Sequence, residues 1–269
     1  MTKKENLLLK KEILNGLTAR SFNLLNNLEI KNQTNSTNDD AKEGLKKQHN
    51  KLSAHLAEQQ NSGRGRNNRK WVSPFGQNIY LSLAWRSNLT FSNIEGLSLA
   101  IGVQVAESLE ELINEKIKIK WPNDLLINKK KLGGILIETS SDRKDTLEII
   151  IGIGINVFMQ NKDANEIDQD WTSLENYKKR NLDRNLIAAI ILNNLLALTK
   201  DFKTAGFVSY IQAFENRNAL KNKKCEVILD DKVSSTGLVT GINDKGELLI
   251  KINNEIISLR YGEVSIREL

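Results

Sequence analysis

The apolar positions of the chain fall into short runs of two different periods. TLEIIIGIGINV, residues 146–157, is a nearly continuous apolar run broken by glycines, and it predicts a strand buried on both faces. LSAHLAE (52–58) and QNIYLSLAW (77–85) predict two more strands. KIKIKW (116–121) alternates with period two and is stopped by Pro122. DLLINKKKLGGILIE predicts a hairpin whose polar turn is Asn128–Lys130. Helical spacing of Leu7, Leu8, Leu9, Ile13, Leu14 and Leu17 predicts one helix over residues 4–28. In NSTNDDAKEGLKK, Ser36 or Thr37 can cap a helix that has Asp39 and Asp40 in its first turn. A long amphipathic helix is predicted from Ile94 to Asn114, another over Leu182–Phe202, and a further one near 207–218. A polar loop, 159–175, separates strand from helix. From Asn222 the pattern changes to short strands divided by Asp-Asp, Asn-Asp-Lys-Gly and Asn-Asn turns, which predicts a small barrel of about 48 residues. Barrels of that kind serve as nucleic-acid binders or as accessory packing domains.

Composition narrows the classes. The 269 residues carry 39% hydrophobic positions, enough for a sizeable core. The net charge of +6 is localised: Glu58–Lys70 carries +3 and Lys116–Lys131 carries +5, which leaves −2 for the remainder. Two cationic segments point to a defined anion site rather than a generally sticky surface. Cys225 is the only cysteine and the histidines are His49 and His55, so neither an internal disulfide nor a zinc cluster can form. Lys10 and Lys11 interrupt the N-terminal leucines too early for a signal peptide. The longest nearly apolar run, Ile149–Met159, has 11 residues, short of the ~18 needed for a membrane span. A cytoplasmic protein that does not engage a membrane is expected, and Mg²⁺, which needs few protein ligands, is compatible with it.

Four motifs carry chemistry. SGRGRNNRKW (62–71) sets four cations and two glycines before an aromatic residue. Glycines let backbone N–H groups approach an anion, and arginines bind carboxylate or phosphate in a fork; the alternative is a solvated charge run. KWPNDLL (120–126) brings Lys120, Asn123 and Asp124 together beside a proline, either as a phosphate, hydrogen-bonding and Mg²⁺ or ribose site or as a plain turn. In KKKLGGILIE, Lys131 points inward if Leu132 points out, and then needs an anion partner; Gly133 and Gly134 mark close approach of a ligand. GIGIN (152–156) fails the dinucleotide pattern because Val157 stands where a glycine is required, leaving Asn156 available to an adenine edge. No Ser-His-Asp arrangement is visible, and Cys225 is expected to pack in the small barrel.

Taken in order and spacing, NSTNDDA, AEQQNSGRGRNNRKWVSPFGQNIYLSLAW, IKWPNDLLINKKKLGGILIE, IIIGIGINV and GEVSIRE resemble the biotin protein ligases, from about Ile30 to Leu269. The resemblance implies an α/β (α+β) fold: a class II aminoacyl-tRNA synthetase-like catalytic domain with a mixed sheet, plus a small SH3-like β-barrel. The expected division is 1–221, whose first 29 residues form a helical segment, and 222–269. The resemblance implies that biotin and MgATP give biotinyl-5′-AMP and pyrophosphate. Biotin then passes to one lysine of a carrier domain, usually that of acetyl-CoA carboxylase. It assigns Ser36, Thr37, Asn38, Gln60, Arg64, Gly65, Arg66, Lys131 and Gly134 to biotin, with Lys131 and Arg66 catalytic. It assigns Arg66, Arg69, Trp71, Lys120, Asn123, Asp124, Asn156 and Arg267 to ATP, with Asp124 toward Mg²⁺ and Gly154 against the ligand. Asn67–Asn68 departs from the Arg or Gly of many members. Only about 30 residues precede the catalytic segment, so no DNA-binding repressor function is expected; a homodimer is left open. The rival readings are a lipoate-type ligase, which shares fold and chemistry, and a non-catalytic nucleic-acid binder, which would show a steep salt dependence.

Overall fold

A computed structural model describes residues 7–47, 52–142, 146–160, 167–229, 232–260 and 264–269. The helix expected over 4–28 is instead two, α1 (Lys10–Asn15) and α2 (Ala19–Leu24); residues 4–6 lie outside the described residues. Gly16 ends α1 where a Cβ would stand 2.6 Å from the Ala189 Cβ, and the Thr18 side chain caps α2 by accepting from Ser21 N. Tight packing against Ala189 therefore requires glycine at position 16.

A seven-stranded mixed sheet follows. Its strands are β1 (Asn27–Thr34), β2 (Leu52–Gln60), β3 (Ile79–Ser87), β4 (Lys118–Lys120), β5 (Asp124–Ile127), β6 (Lys130–Asp142) and β7 (Thr146–Ile155). They lie in the order β1-β2-β3-β7-β6-β5-β4, with β1 and β2 parallel and the other pairs antiparallel. Strand β1 was not anticipated. KIKIKW contributes only the three residues of β4.

The central strands alternate strictly. Ile79, Leu81, Leu83 and Trp85 of β3, with Ile149, Ile151, Ile153 and Ile155 of β7, are buried in the main core. The same core holds apolar residues of α4 (Leu97–Glu110) and α5 (Arg184–Ala205). On the opposite face Ala84 and Ile150 pack with Ala41 and Leu45 of α3 (Thr37–Lys47). Further along that face stand Tyr80 and Ser82 of β3 and the bare Gly152 and Gly154 of β7. Small residues thus leave a trough beside the N-terminus of α3.

Helix α4 begins later than expected, after a 3-10 turn at Phe91–Ile94, and is buried on nearly every side rather than amphipathic. Helix α5, with 22 residues, is long and apolar enough by composition to cross a membrane. Ile187, Ile191, Leu195, Leu198 and Phe202 are nevertheless fully covered by the core, which identifies a core helix. Counting uninterrupted apolar runs did not pick it out.

After α6 (Ile211–Arg217) the chain forms a five-stranded antiparallel sheet in the order β11-β10-β9-β8-β12. The strands are β8 (Lys224–Leu229), β9 (Lys232–Ile242), β10 (Leu248–Ile252), β11 (Glu255–Leu259) and β12 (Ser265–Glu268). Cys225 is buried within it, and burial pushes its thiol pKa up, as expected for a packing cysteine. The two sheets are joined by a buried bond from Trp121 Nε1 to the Gly246 carbonyl at 2.9 Å. Glu268 adds a bridge, accepting from Lys129 at 3.2 Å and standing 3.3 Å from Lys223 Nζ.

Candidate active site

The trough opens into a cleft of about 780 Å³, within the range of small-molecule sites. Ser36, Thr37 and Asn38 enter from the start of α3, Gln60 from the end of β2, and Arg64, Gly65, Arg66, Arg69 and Trp71 from the glycine-arginine loop. Lys120, Asn123 and Asp124 stand at the corner between β4 and β5. Lys131 and Gly134 come from β6, Gly154 from β7 and Arg267 from β12. Among the described lining residues seven cations (Arg64, Arg66, Arg69, Lys70, Lys120, Lys131, Arg267) face two carboxylates, Asp124 and Asp168. That imbalance suits a polyanionic ligand.

The end of the cleft at α3 is a connected polar network. Gln60 Oε1 accepts from Thr37 N at 2.9 Å and from Thr37 Oγ1 at 3.1 Å, and its Nε2 donates to Ser73 Oγ at 3.1 Å. Ser82 Oγ lies 2.7 Å from Thr37 Oγ1 and 2.6 Å from Asn38 Oδ1. Asn38 Nδ2 donates to Glu138 at 2.6 Å. Such a network fixes every donor and acceptor that a small polar ring would meet.

At the other end, Lys131 Nζ is 2.8 Å from Asp124 Oδ1 and 5.4 Å from the centre of the Trp71 ring. A bulge in β6 makes this possible. Leu125 pairs with Gly133 and Leu126 with Lys131, so Leu132 is an extra residue. Lys131 accordingly faces the cleft while Leu132 is fully buried in the core, which corrects the expectation that Leu132 points out. The Trp71 ring lies flat on bare backbone: a Cβ on Gly154 would come within 2.6 Å of it. Its indole nitrogen is buried with no hydrogen-bond partner among the described residues. Asn67 and Asn68 both adopt left-handed backbone, with φ of 52° and 55°. Asparagine tolerates this conformation better than most side chains, so the departure at these positions keeps the turn.

Asn156 is not brought to the cleft. Its side chain donates to the Thr172 carbonyl at 3.1 Å, and its backbone N–H to Leu132 O at 2.9 Å. Alternation along GIGIN puts residue 156 on the cleft side, but β7 ends at Ile155 and the chain turns away. Asn123 reaches the cleft with part of its capacity committed, donating to Ile135 O at 2.7 Å. Two features were missed. Tyr80, whose hydroxyl donates to Pro74 O at 3.0 Å, lines the wall, as alternation with Ser82 implied. Residues 167–169 also line the cleft, from a segment whose sequence offers only polarity.

A profile of the Biotin/lipoate A/B protein ligase family matches residues 30–156, and one of the Biotin protein ligase C terminal domain matches residues 222–267. The chain is 39% identical over 212 residues to the bifunctional ligase/repressor BirA of Escherichia coli, covering 79% of this chain and 65% of that protein. It therefore spans slightly less than two thirds of that relative. It is 30% identical over 213 residues to the biotin–[acetyl-CoA-carboxylase] ligase of Mycobacterium tuberculosis, covering 78% of this chain and 77% of the relative. The solved biotin protein ligase of Aquifex aeolicus in complex with biotin and ATP is 31% identical, with a TM-score of 0.76 over 91% of this chain and 100% of that one. With both profiles matching in order and a relative 30% identical over 77% of its length, the chain belongs to the biotin protein ligase family.

Proposed function

We propose that the chain activates biotin with ATP, giving biotinyl-5′-AMP and pyrophosphate, and then transfers the biotinyl group to a lysine of a carboxylase carrier domain, releasing AMP. The observation that carries this reading is the cleft itself: a hydrogen-bonding end at α3 and a cationic end that holds Lys131. In the first step a biotin carboxylate oxygen forms a bond to the α-phosphorus and the bond to the bridging oxygen breaks. Several negative charges converge, so catalysis is positioning and charge neutralisation. Lys131, beside Asp124 and Trp71, is assigned to the carboxylate and α-phosphate. Ser36, Thr37, Asn38 and Gln60 are assigned to the biotin ring, Gly65 and Gly134 to backbone contact with it, and Trp71 to packing beside the base. Arg66, Arg69, Lys120, Asn123 and Arg267 are assigned to the nucleotide. In the second step the acceptor amine attacks the acyl carbon, AMP leaves, and the amine loses a proton.

Among the described residues no three His, Cys, Asp or Glu side chains cluster as a metal site. The lone Asp124 carboxylate on this wall is paired with Lys131, which fits an ion carried in on the nucleotide rather than one held by protein alone. Asp124 would help hold Mg²⁺ carried in on the nucleotide, and that ion when bound supplies further charge neutralisation. The match of residues 222–267 to a biotin-specific C-terminal domain favours biotin over lipoate. It also supports dividing the chain into a catalytic unit, 1–221, and a second unit, 222–269.

The test is transfer of labelled biotin, with MgATP, to a purified carrier domain and to the same domain lacking its acceptor lysine. Label on the intact carrier alone is expected. Absence of label together with absence of biotin-dependent ATP–pyrophosphate exchange would overturn the reading. Arg66 tests the closing role of the loop. Its guanidinium lies 3.4 Å from the Val264 carbonyl, so the loop touches the second sheet. Arg66→Gly is expected to release the adenylate roughly tenfold faster, because a charge-assisted contact is lost. Stopped-flow release from preformed complex measures this, and release at the parental rate would remove Arg66 from that role.

A further inference from the structure

We propose that Asp39 and Glu138 are positioning residues that latch the glycine-arginine loop through Arg64, so that the Arg64 side chain is a closing element and not a ligand for substrate anions. Its guanidinium is already engaged on two elements at once. Nη1 donates to Asp39 Oδ2 at 2.9 Å and Nη2 to Asp39 Oδ1 at 2.7 Å, a two-pronged fork onto the first turn of α3. Nη2 also lies 3.2 Å from both carboxylate oxygens of Glu138 on β6. These partners hold the guanidinium pKa above its usual value, the Asp39 hydrogen bonds being the main cause. A fork satisfied by two carboxylates has little left for a third.

The latch reaches the rest of the loop because the loop is itself a small hairpin. Arg64 bridges Lys70, Gly65 N donates to Arg69 O at 2.7 Å, and Trp71 N donates to Gly63 O at 2.9 Å. Fixing Arg64 therefore fixes the frame that carries Arg66 and Trp71. Glu138 in turn accepts from Asn38 at 2.6 Å, so the latch is tied to the polar network at the α3 end of the cleft. Occupancy of that network and closure of the loop share one carboxylate.

The proposal deepens the ligase reading and rests on it for its biotin arm, so the test has a second arm that does not. The variant is Asp39→Asn with Glu138→Gln, which keeps size and keeps an acceptor for Asn38. In the first arm the ligand-free protein is digested with trypsin, for which Arg64, Arg66, Arg69 and Lys70 are loop sites. Cleavage in the loop is expected to be about tenfold faster than in the parent, with an unchanged thermal midpoint. Arg64→Gln, which removes the latch from its other side, is expected to speed cleavage at Arg66, Arg69 and Lys70 by a similar factor. In the second arm the biotin dissociation constant of Asp39→Asn alone, which leaves the Glu138–Asn38 bond in place, is expected to rise about tenfold while kcat stays within about twofold. Parental cleavage rates in the neutral variant or in Arg64→Gln would overturn the latch. A parent protein that binds no biotin would overturn the ligase reading and leave the trypsin arm to decide the latch.

Discussion

Replacing Lys131 with alanine is expected to lower the rate of adenylate formation by about a hundred- to a thousandfold, the effect of removing one preorganised charge donor from an acyl- or phosphoryl-transfer site. The side chain is 16% exposed and its salt-bridge partner is Asp124 at 2.8 Å. Its backbone is independently tied, donating to Asp170 O at 2.9 Å and accepting from Thr172 N at 2.9 Å, so the fold survives the truncation. The loss is compounded because Asp124 is left as an uncompensated carboxylate where a carboxylate and a triphosphate must meet. Adding Asp124→Asn to Lys131→Ala removes that stray charge but also the carboxylate assigned to Mg²⁺, so it is expected to recover none of the loss in kcat and to raise KM for MgATP. Biotin-dependent pyrophosphate exchange measures both quantities. Near-parental exchange in the single variant would remove Lys131 from its assigned role.

Removing Glu58 is expected to destabilise the protein by about 3–5 kcal/mol, the usual result of leaving one member of a buried ion pair alone. Glu58 Oε2 is 2.7 Å from Arg184 Nη1, and the two residues are 1% and 0% exposed. Arg184 Nε also donates to Asn78 O at 2.9 Å, and Glu58 accepts from the backbone N–H of Leu8. One carboxylate thus joins β2, the N-terminus of α5, the chain before β3 and the N-terminal segment. Glu58→Ala leaves a guanidinium in the core, whereas Glu58→Gln with Arg184→Met removes both charges and is expected to be milder. Urea unfolding of the single and paired variants distinguishes them. A loss below about 1 kcal/mol for Glu58→Ala would mean that water reaches the arginine. The pair lies two residues before Gln60, so its loss also loosens one wall of the cleft.

The elements legible in the sequence were those in which one local signal dominates. Asp39 and Asp40 after a Ser-Thr pair marked α3, and the glycine-broken isoleucines marked β7. The candidate site was legible because its chemistry sits in short motifs, and all of its proposed side chains except Asn156 line the cleft. What escaped depended on contacts distant in sequence. The glycine at position 16 answers to Ala189 on α5, and the turn of Asn156 away from the cleft answers to carbonyls across the sheet. The pairing of Arg64 was not legible either, because its partners, Asp39 and Glu138, are 25 and 74 residues away. Neither partner's motif hinted at pairing.

The bulge at Leu132 bears on how the hairpin can change. Plain alternation back from the buried Ile135 would put Lys131 in the core and Leu132 outside. The extra residue reverses both and buries its own side chain in the core. Gly133 stays bare because a Cβ there would meet the Gly154 carbonyl at 2.6 Å. The segment is therefore insulated from the most damaging error open to a strand, the one-residue slip that inverts its faces. If evolution deleted Leu132, Lys131 and Gly134 would become next-but-one neighbours on a regular ladder, still on the same side. The lineage would lose a buried leucine and keep its cation.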